Sequence, residues 1–362
     1  MKMFDEIDRH DHEQVVFCSD KKVGLRAIIA VHNTFLGPAL GGTRIWNYAT
    51  EEDALSDVLR LSRGMTYKAA IAGLNLGGGK AVIIGDADKI KSEALFRTYG
   101  RFVETLGGRY ITAEDVNTNV RDMEWVRMET RHVTGISRSL GGSGDPSPVT
   151  GLGVYVGMKA TAREFFGSDS LKAKKIAVQG SGKVATSLCE HLVKEGATLT
   201  ITDINEDRAR SAAKRFKAKY VKPDTIYDSA VDIFAPCALG GILNDQTIPR
   251  LKCKIVAGAA NNQLLDEKKH VQMLIERGIL YAPDYAINAG GLINVANELE
   301  GYSEGRALNQ AEGIYDILQQ IFRIAREEKV PTSVAANKLA EYRIESIGRI
   351  KQIHAGSPTI DR

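Results

Sequence analysis

A chain of 362 residues is long enough for two domains rather than one. Its 43% hydrophobic and 26% charged residues are ordinary for a globular protein, and a formal net charge of +3 is too small to argue for a nucleic-acid partner. There is no basic block with interleaved aromatics, and no apolar run approaches the ~20 residues of a membrane helix, so neither nucleic acid nor membrane is expected as a partner.

The N-terminus, MKMFDEIDRHDHEQ, is charged throughout and carries no signal-peptide pattern. The four cysteines, Cys18, Cys189, Cys237 and Cys253, form no CxxC pair and have no neighbours at metal-ligand spacing. These features predict a cytoplasmic protein with reduced, mostly buried thiols and no bound metal.

In chain order, RAIIAVH (26–32) reads as a strand. Thr50 through Gly64 reads as a helix, with Thr50 as cap and Asp53 at its third position; Leu55, Val58, Leu59 and Met65 fall near one face. Lys68 lies just past it, in MTYKAA. AVII (81–84) reads as a buried strand with Lys80 at its mouth, behind three glycines that leave room for a ligand beside the lysine stem. Leu95, Tyr99, Phe102, Val103 and Leu106 mark a helix closed by Gly107-Gly108, and RYIT (109–112) reads as a strand running into Asp115.

GGSGDPSPVTG (141–151) is the most loop-like stretch and predicts a hinge between a first domain, 1–140, and a second, 141–330. A helix follows from about 151 to 166. Strands at 174–180, 198–203, 231–237, 254–260 and 278–284 then alternate with helical patterns, the βαβ rhythm of a doubly wound parallel sheet. Helical patterns at 307–327 and 331–348 either close the second domain or, with the chain to 362, return to pack on the first.

Gly180-Ser181-Gly182-Lys183-Val184-Ala185 is a GxGxxA between a strand and a helix, and Asp203 follows Gly180 by 23 positions at the end of the next strand. Gly180 suits a tight turn, Gly182 a close approach to a pyrophosphate, and Ala185 close helix packing, with the helix N-terminus attracting phosphate. Asp203 suits ribose hydroxyls and repels a 2′-phosphate, which favours NAD over NADP; Lys183 adds phosphate affinity and softens that discrimination. The second domain therefore reads as a Rossmann-type dinucleotide-binding domain. The alternative is a glycine turn that binds no nucleotide.

The first domain must then supply substrate binding and chemistry. Lys68 reads either as a solvated helix cation or as a functional one, and Asp115 either as a capping or turn residue or as a functional carboxylate at a strand edge. Lys80 is the strongest candidate. Burial disfavours an ammonium, a second cation nearby does the same, and a lysine that loses its proton near neutral pH serves as a general base.

GPALGGTRIW (37–46), MTYKAA (65–70), GLNLGGGKAVIIGD (73–86), AEDV (113–116), GSGKVA (180–185), APCALGG (235–241), AANNQL (259–264) and INAGGLINVANEL (287–299) together resemble the amino-acid dehydrogenases, closest to their leucine branch, from about residue 10 to 350. The resemblance implies reversible oxidative deamination of an L-amino acid with NAD, in a cleft between two α/β domains that closes on its substrate. It implies that Lys68 holds the substrate carboxylate, with Gly41, Gly42 and Asn262 nearby. Lys80 would activate water, Asp115 exchange protons with the amino group, and Asn261 hold the nicotinamide. It also implies a homo-oligomer, an octamer in the leucine branch, and a side-chain pocket at Leu40, Ala113, Leu292 and Val295. Four apolar residues there argue against a glutamate substrate and suit leucine, isoleucine and valine. Two readings stay beside this one: the same reaction on phenylalanine or tryptophan, and a non-catalytic NAD-binding regulator.

Overall fold

The computed structural model describes residues 3–352; Met1, Lys2 and the segment 353–362, into which the expected C-terminal packing extends, lie outside the described residues. The chain divides into two compact units. The first runs up to Val133 and resumes at Lys338; the second is Thr134–Asn337.

The first unit contains α1 (Met3–Arg9), β1 (Gln14–Asp20), β2 (Leu25–Asn33), β3 (Ala39–Trp46), α2 (Glu51–Ile71), β4 (Gly77–Ile84), α3 (Ala87–Ile90), α4 (Glu93–Glu104), β5 (Tyr110–Glu114) and α5 (Val120–Arg127). Its five-stranded sheet has the order β1-β2-β4-β3-β5. β4 pairs antiparallel with β2 and parallel with β3, and β3 pairs parallel with β5. Alternation along these strands sorts the side chains onto two faces.

One face carries Ile28, Ala30 and Val82 and is covered by α2 through Ala54, Leu55, Val58 and Leu59. Each Val or Leu buried there contributes roughly 1.5–3 kcal/mol. Thr50 caps α2 in a capping box with Asp53, as its sequence indicates. The helix does not end near Gly64, however. Gly64 is exposed, a Cβ there meets nothing within 4 Å, and α2 continues to Ile71, so Lys68 sits in its last turn.

The other face carries a chain of buried hydroxyls against α4. Thr43 Oγ1 lies 2.7 Å from the Tyr99 hydroxyl and 2.6 Å from Thr112 Oγ1, and the Tyr110 hydroxyl donates to the Gly41 carbonyl at 2.6 Å. These bonds satisfy groups that burial would otherwise penalise, and they fix β3 to β5 and α4.

The glycines before Lys80 are not a loop. They belong to β4, the middle strand of the sheet, and backbone and ring atoms occupy the space their side chains lack. A Cβ at Gly77 lies 1.9 Å from the Asn33 carbonyl oxygen, at Gly78 2.1 Å from the Thr66 amide nitrogen, and at Gly79 2.6 Å from the Tyr110 ring. The room beside the lysine stem is thus filled by protein.

The second unit holds α6 (Ser147–Phe166), β6 (Lys175–Gln179), α7 (Lys183–Glu195), β7 (Thr198–Thr202), α8 (Glu206–Arg215), β8 (Lys219–Tyr220), β9 (Ile233–Pro236), β10 (Ile255–Val256), α9 (Glu267–Glu276), β11 (Leu280–Tyr281), α10 (Asp284–Ile287), α11 (Gly290–Ala296), α12 (Glu304–Glu312) and α13 (Ile314–Glu328), and α14 (Thr332–Gly348) crosses the division between the units. Its six-stranded sheet runs β11-β10-β9-β6-β7-β8, all parallel, so the order reverses between β6 and β9. This is the doubly wound arrangement, whose ligands sit at the strand ends beside the reversal. The helix expected from 151 begins earlier, at Ser147, and the pattern at 307–327 is two helices meeting at Gly313.

The 141–151 loop is tied to the second unit. The Glu298 carboxylate accepts from the Gly135 amide at 3.0 Å and the Ser143 amide at 2.8 Å. The later part of α14 joins the first unit, where Arg343 Nη2 donates to the Gly73 carbonyl and to Asn75 Oδ1, each at 2.9 Å.

Two substitutions test the close packing at β4. Gly64→Ala stabilises by about 0.5–1 kcal/mol, because an open helix interior gains from alanine. Gly78→Ala destabilises by about 1–3 kcal/mol or more, because its methyl group meets the α2 backbone. Urea midpoints of the two variants check this; equal effects would contradict the packing described.

A histidine pair makes the first unit acid-sensitive. His32 Nε2 donates to the His10 carbonyl at 3.0 Å, leaving Nδ1 to accept from Thr66 Oγ1 at 2.8 Å; His12 Nε2 reaches the Leu59 carbonyl at 3.1 Å. Burial pushes His12 down to about 4 and His32 to about 3. Unfolded histidines bind protons below about 6.5 while these stay neutral, so stability is full above that pH and declines as the pH falls toward 4. The expected loss is on the order of a few kcal/mol. Denaturation midpoints from pH 7.5 to 5 fall more steeply for the native chain than for His32→Gln; parallel slopes would contradict the assignment.

Candidate functional site

In the first unit the site is built across three neighbouring strands. Lys80 stands on β4, Gly41 and Gly42 on β3, and Asp115 directly after β5. Lys80 is inside its strand and not at the strand's mouth. The register pairs Thr43 with Ala81 and Gly42 with Ala113, so Lys80, Gly42 and Ala113 share one row and one face. Because Gly42 has no side chain, the Glu114–Asp115 segment closes over it, with the Glu114 carbonyl oxygen 2.4 Å from where a Cβ would stand, and this brings Asp115 to Lys80. The Lys80 Nζ lies 3.1 Å from Asp115 Oδ1, with the lysine side chain only 6% exposed and the aspartate 23%.

A Cβ on Gly42 would lie 2.9 Å from the Asp115 Cβ, and one on Gly41 would lie 1.7 Å from the Gly79 carbonyl oxygen. Both glycines are therefore required by close approach alone, since neither has a positive φ. The turn after β5 is pinned to β3. The Asp115 amide donates to Thr118 Oγ1 at 2.8 Å, which donates on to the Thr43 carbonyl at 2.9 Å. Burial raises the Asp115 carboxyl, but the charges of Lys80 and Arg44 and the bonds from Lys80 and the Val116 amide outweigh it, so the group is held below the usual carboxylate range.

Leu40 and Ala113 are buried beside these groups, on the same face as Gly42. Lys68 is half-buried in the last turn of α2, which Gly78 admits close to β4. Arg44 and Asp57, which sequence reasoning passed over, extend the ion pair: Arg44 bridges Asp115 and Asp57 at 3.0 Å to each. The only sequence signal was alternation, since Arg44 follows Gly42 by two positions.

In the second unit Gly180 ends β6 with φ +109, and a Cβ there would lie 2.9 Å from the Cys237 carbonyl oxygen at the end of β9, so the turn sits at the sheet's reversal. A Cβ at Gly182 would meet nothing within 4 Å, and Gly182 caps α7 without a side-chain bond, leaving the helix's first amides for an anion. Ala185 is buried and Val184 half-buried in that first turn. Asp203 Oδ2 accepts from the Ser181 amide at 2.8 Å and hydroxyl at 3.0 Å. Burial raises this carboxyl, but those bonds and the Asn205 amide hold it below its ordinary value, so it is an anion with acceptor capacity left over. Lys183 is paired with Asp145 at 3.0 Å.

Asn261 and Asn262 follow β10 beside Gly240, where a Cβ would lie 2.6 Å and 2.8 Å from their carbonyl oxygens. Asn262 has φ +49, a conformation asparagine tolerates. Two further residues fix this loop. Gln263 Nε2 donates to the Gly258 and Ala260 carbonyls, and Asn288 Nδ2 donates to Asn261 Oδ1 at 2.8 Å. The buried Asn288 Oδ1 has no partner among the described residues. Open space at Gly182, uncapped helix amides, an anion at Asp203 and an unused buried acceptor fit a dinucleotide. Leu292, buried, and Val295, half-buried, lie three apart on α11 and so on one face.

Among the described residues no helix is long and apolar enough to cross a membrane. Residues 12–132 match the family model described as the dimerisation domain of Glu/Leu/Phe/Val dehydrogenases, and residues 141–206 and 200–347 match that of glutamate/leucine/phenylalanine/valine dehydrogenase. A leucine dehydrogenase of Thermoactinomyces intermedius is 60% identical over 351 residues, covering 97% of this chain and 96% of that protein. An L-tryptophan dehydrogenase of Nostoc punctiforme is 51% identical over 351 residues, covering 97% and 98%. The crystal structure of L-tryptophan dehydrogenase from Nostoc punctiforme superposes with a TM-score of 0.86 at 50% identity, covering 96% of this chain and 99% of that one.

Since Asn288 holds Asn261, Asn288→Ala is expected to weaken binding of a reduced nicotinamide dinucleotide roughly tenfold, about 1.4 kcal/mol. Fluorescence titration checks this, and an unchanged affinity would mean that Asn261 needs no anchor.

Proposed function

Because the chain belongs to the Glu/Leu/Phe/Val dehydrogenase family, we propose that it catalyses the reversible NAD-dependent oxidative deamination of a branched-chain L-amino acid, leucine and also isoleucine and valine. An amino acid, NAD⁺ and water give a 2-oxo acid, ammonium, NADH and a proton. The observation that carries this reading is the contact between the nearly buried Lys80 and Asp115 at 3.1 Å. A non-catalytic nucleotide binder has no use for such a pair.

Lys68 stays charged and holds the substrate carboxylate, with Gly41 and Gly42 beside it; Asn262, in the second unit, is a further substrate-binding residue by the resemblance. Asp115 is an anion at neutral pH and takes a proton from the substrate ammonium, which must be neutral before the α-hydrogen leaves. Lys80, once deprotonated, takes a proton from the water that attacks the resulting iminium carbon. The nicotinamide, when bound, supplies the hydride acceptor. Gly182, the first amides of α7 and Ser181 would hold the pyrophosphate, Asp203 the ribose hydroxyls, and Asn261 the nicotinamide end.

NAD is preferred because a 2′-phosphate would face the Asp203 carboxylate, while Lys183 is engaged by Asp145. By the family resemblance Leu40 and Ala113 of the first unit and Leu292 and Val295 of the second are the residues that receive the substrate side chain, and none of the four is a cation for a glutamate side chain. The higher identity to leucine dehydrogenase than to tryptophan dehydrogenase supports an aliphatic substrate. Four unpaired thiols among the described residues agree with a cytoplasmic setting.

Self-association is part of this reading, as a homo-oligomer and by resemblance an octamer. β1 is an edge strand with unpaired backbone groups, and Phe17 on it is 52% exposed. Light scattering is expected to give a mass several times that of one chain, falling on Phe17→Glu; a monomer would contradict this part of the reading.

The reaction is tested by initial rates of NADH formation across the common L-amino acids. Leucine, isoleucine and valine turn over within about 10–200-fold of one another. NADP⁺, phenylalanine, tryptophan and glutamate are poor, and an aromatic preference would overturn the substrate assignment. Lys80→Ala loses about 10²–10⁴-fold in kcat with NADH affinity kept; equal loss of both would make Lys80 structural.

A further inference from the structure

Arg44 has no role in the reaction as described so far. It stands on β3 two residues after Gly42, hence on the same face, beside Asp115. Its Nε donates to Asp115 Oδ2 at 3.0 Å, while Lys80 takes Oδ1 at 3.1 Å. Its Nη1 donates to Asp57 Oδ2 at 3.0 Å. Asp57, on α2, is held in turn by the Tyr48 hydroxyl at 2.6 Å and Arg60 Nη2 at 2.9 Å. The Asp115 carboxylate thus has one cation on each oxygen, and only one of the two can lose its proton.

We propose that Arg44 is a positioning residue for this site: it holds Asp115 against Lys80 and supplies the countercharge that remains when the Lys80 ammonium gives up its proton. The inference rests on the roles proposed above for Lys80 and Asp115. A carboxylate facing a lysine alone would keep the proton on the amine, because releasing it would leave a poorly solvated anion unpaired. With Arg44 in place, the proton leaves to water and Asp115 stays an anion with a partner.

The groups facing Asp115 are Lys80 from β4 and Arg44 from β3; those facing Arg44 are Asp115, Asp57 and Tyr48. Burial works against the Arg44 charge, but Asp115 and Asp57 outweigh it, so the guanidinium is held more firmly protonated than usual. A guanidinium suits the task because its fork donates to two carboxylates in different directions, which a single ammonium on a flexible stem does not reproduce.

The test uses the full chain with Arg44→Met and Arg44→Lys, measuring kcat and KM for leucine and the pH profile of kcat/KM in deamination. NADH affinity and thermal unfolding report whether each variant is folded. Arg44→Met is expected to lose about 10–100-fold in kcat with KM within about threefold. Its low-pH limb moves up by about one pH unit, because one nearby charge is gone. Arg44→Lys keeps the charge, so its limb stays near the native position even where kcat falls. A merely structural role would lower stability without moving the limb. Should Arg44→Met fail to fold, Arg44→Gln keeps a donor without the charge and is expected to show the same movement. A limb that stays put in the neutral variant, whatever its kcat, overturns the proposal. A native protein that turns over no amino acid with NAD⁺ overturns instead the reading on which it rests.

Discussion

Lys80 stands on one strand, Asp115 follows another, and β3 runs between them. Two strand spacings amount to about 10 Å, a distance that a lysine and an aspartate cover only if nothing stands between. Gly42 provides that gap. The same economy of side chains recurs where Gly41 meets the Gly79 carbonyl and where Gly78 meets the α2 backbone. At each of these three glycines a neighbouring segment approaches so closely that no β-carbon fits, and the buried Lys80 amine meets a carboxylate at its tip. The hydroxyl chain from Thr43 to Thr112 and Tyr99 braces the sheet from behind, so β3 cannot relax away from its neighbours.

The two units solve different problems with different materials. The first sets charged side chains against one another on a sheet face, at distances of 3.0 and 3.1 Å. The second works largely with backbone: a turn at positive φ, uncapped helix amides, and a loop whose asparagines are fixed by Gln263 and Asn288. Anion binding at a helix N-terminus needs few charged groups, and the Lys183–Asp145 pair leaves the uncapped amides of α7 as they are.

The dinucleotide half was legible in sequence because its parts are contiguous. Strand, glycine turn, helix and Asp203 fall within one βαβ unit, each with its own local pattern. The first unit was harder to read for the same reason that it works. ALGGTRIW is a strand, but two glycines in its middle remove the side chains that make a strand recognisable, so β3 was not foreseen. The triple glycine read as open room beside Lys80 because its contacts, to Asn33, Thr66 and Tyr110, come from distant segments. Gly64 looked like a helix end because nothing local showed that α2 continues. Arg44 and Asp57 drew no reading at all, because only the strand order sets Arg44 beside Asp115 and only the packing of α2 brings Asp57 to Arg44. Lys80 and Asp115 were picked out by residue type and setting, yet their meeting depends on a register that no single segment encodes.

The contact between Lys80 and Asp115 depends on the missing side chain at Gly42. The direct measurement is the crystal structure of Gly42→Ala together with its rate on leucine. A methyl group there would lie 2.9 Å from the Asp115 Cβ, so the account predicts a folded protein in which Asp115 is displaced, the contact with Lys80 is broken, and turnover is largely lost. A variant that keeps that contact at its native distance and turns over at the native rate would contradict it.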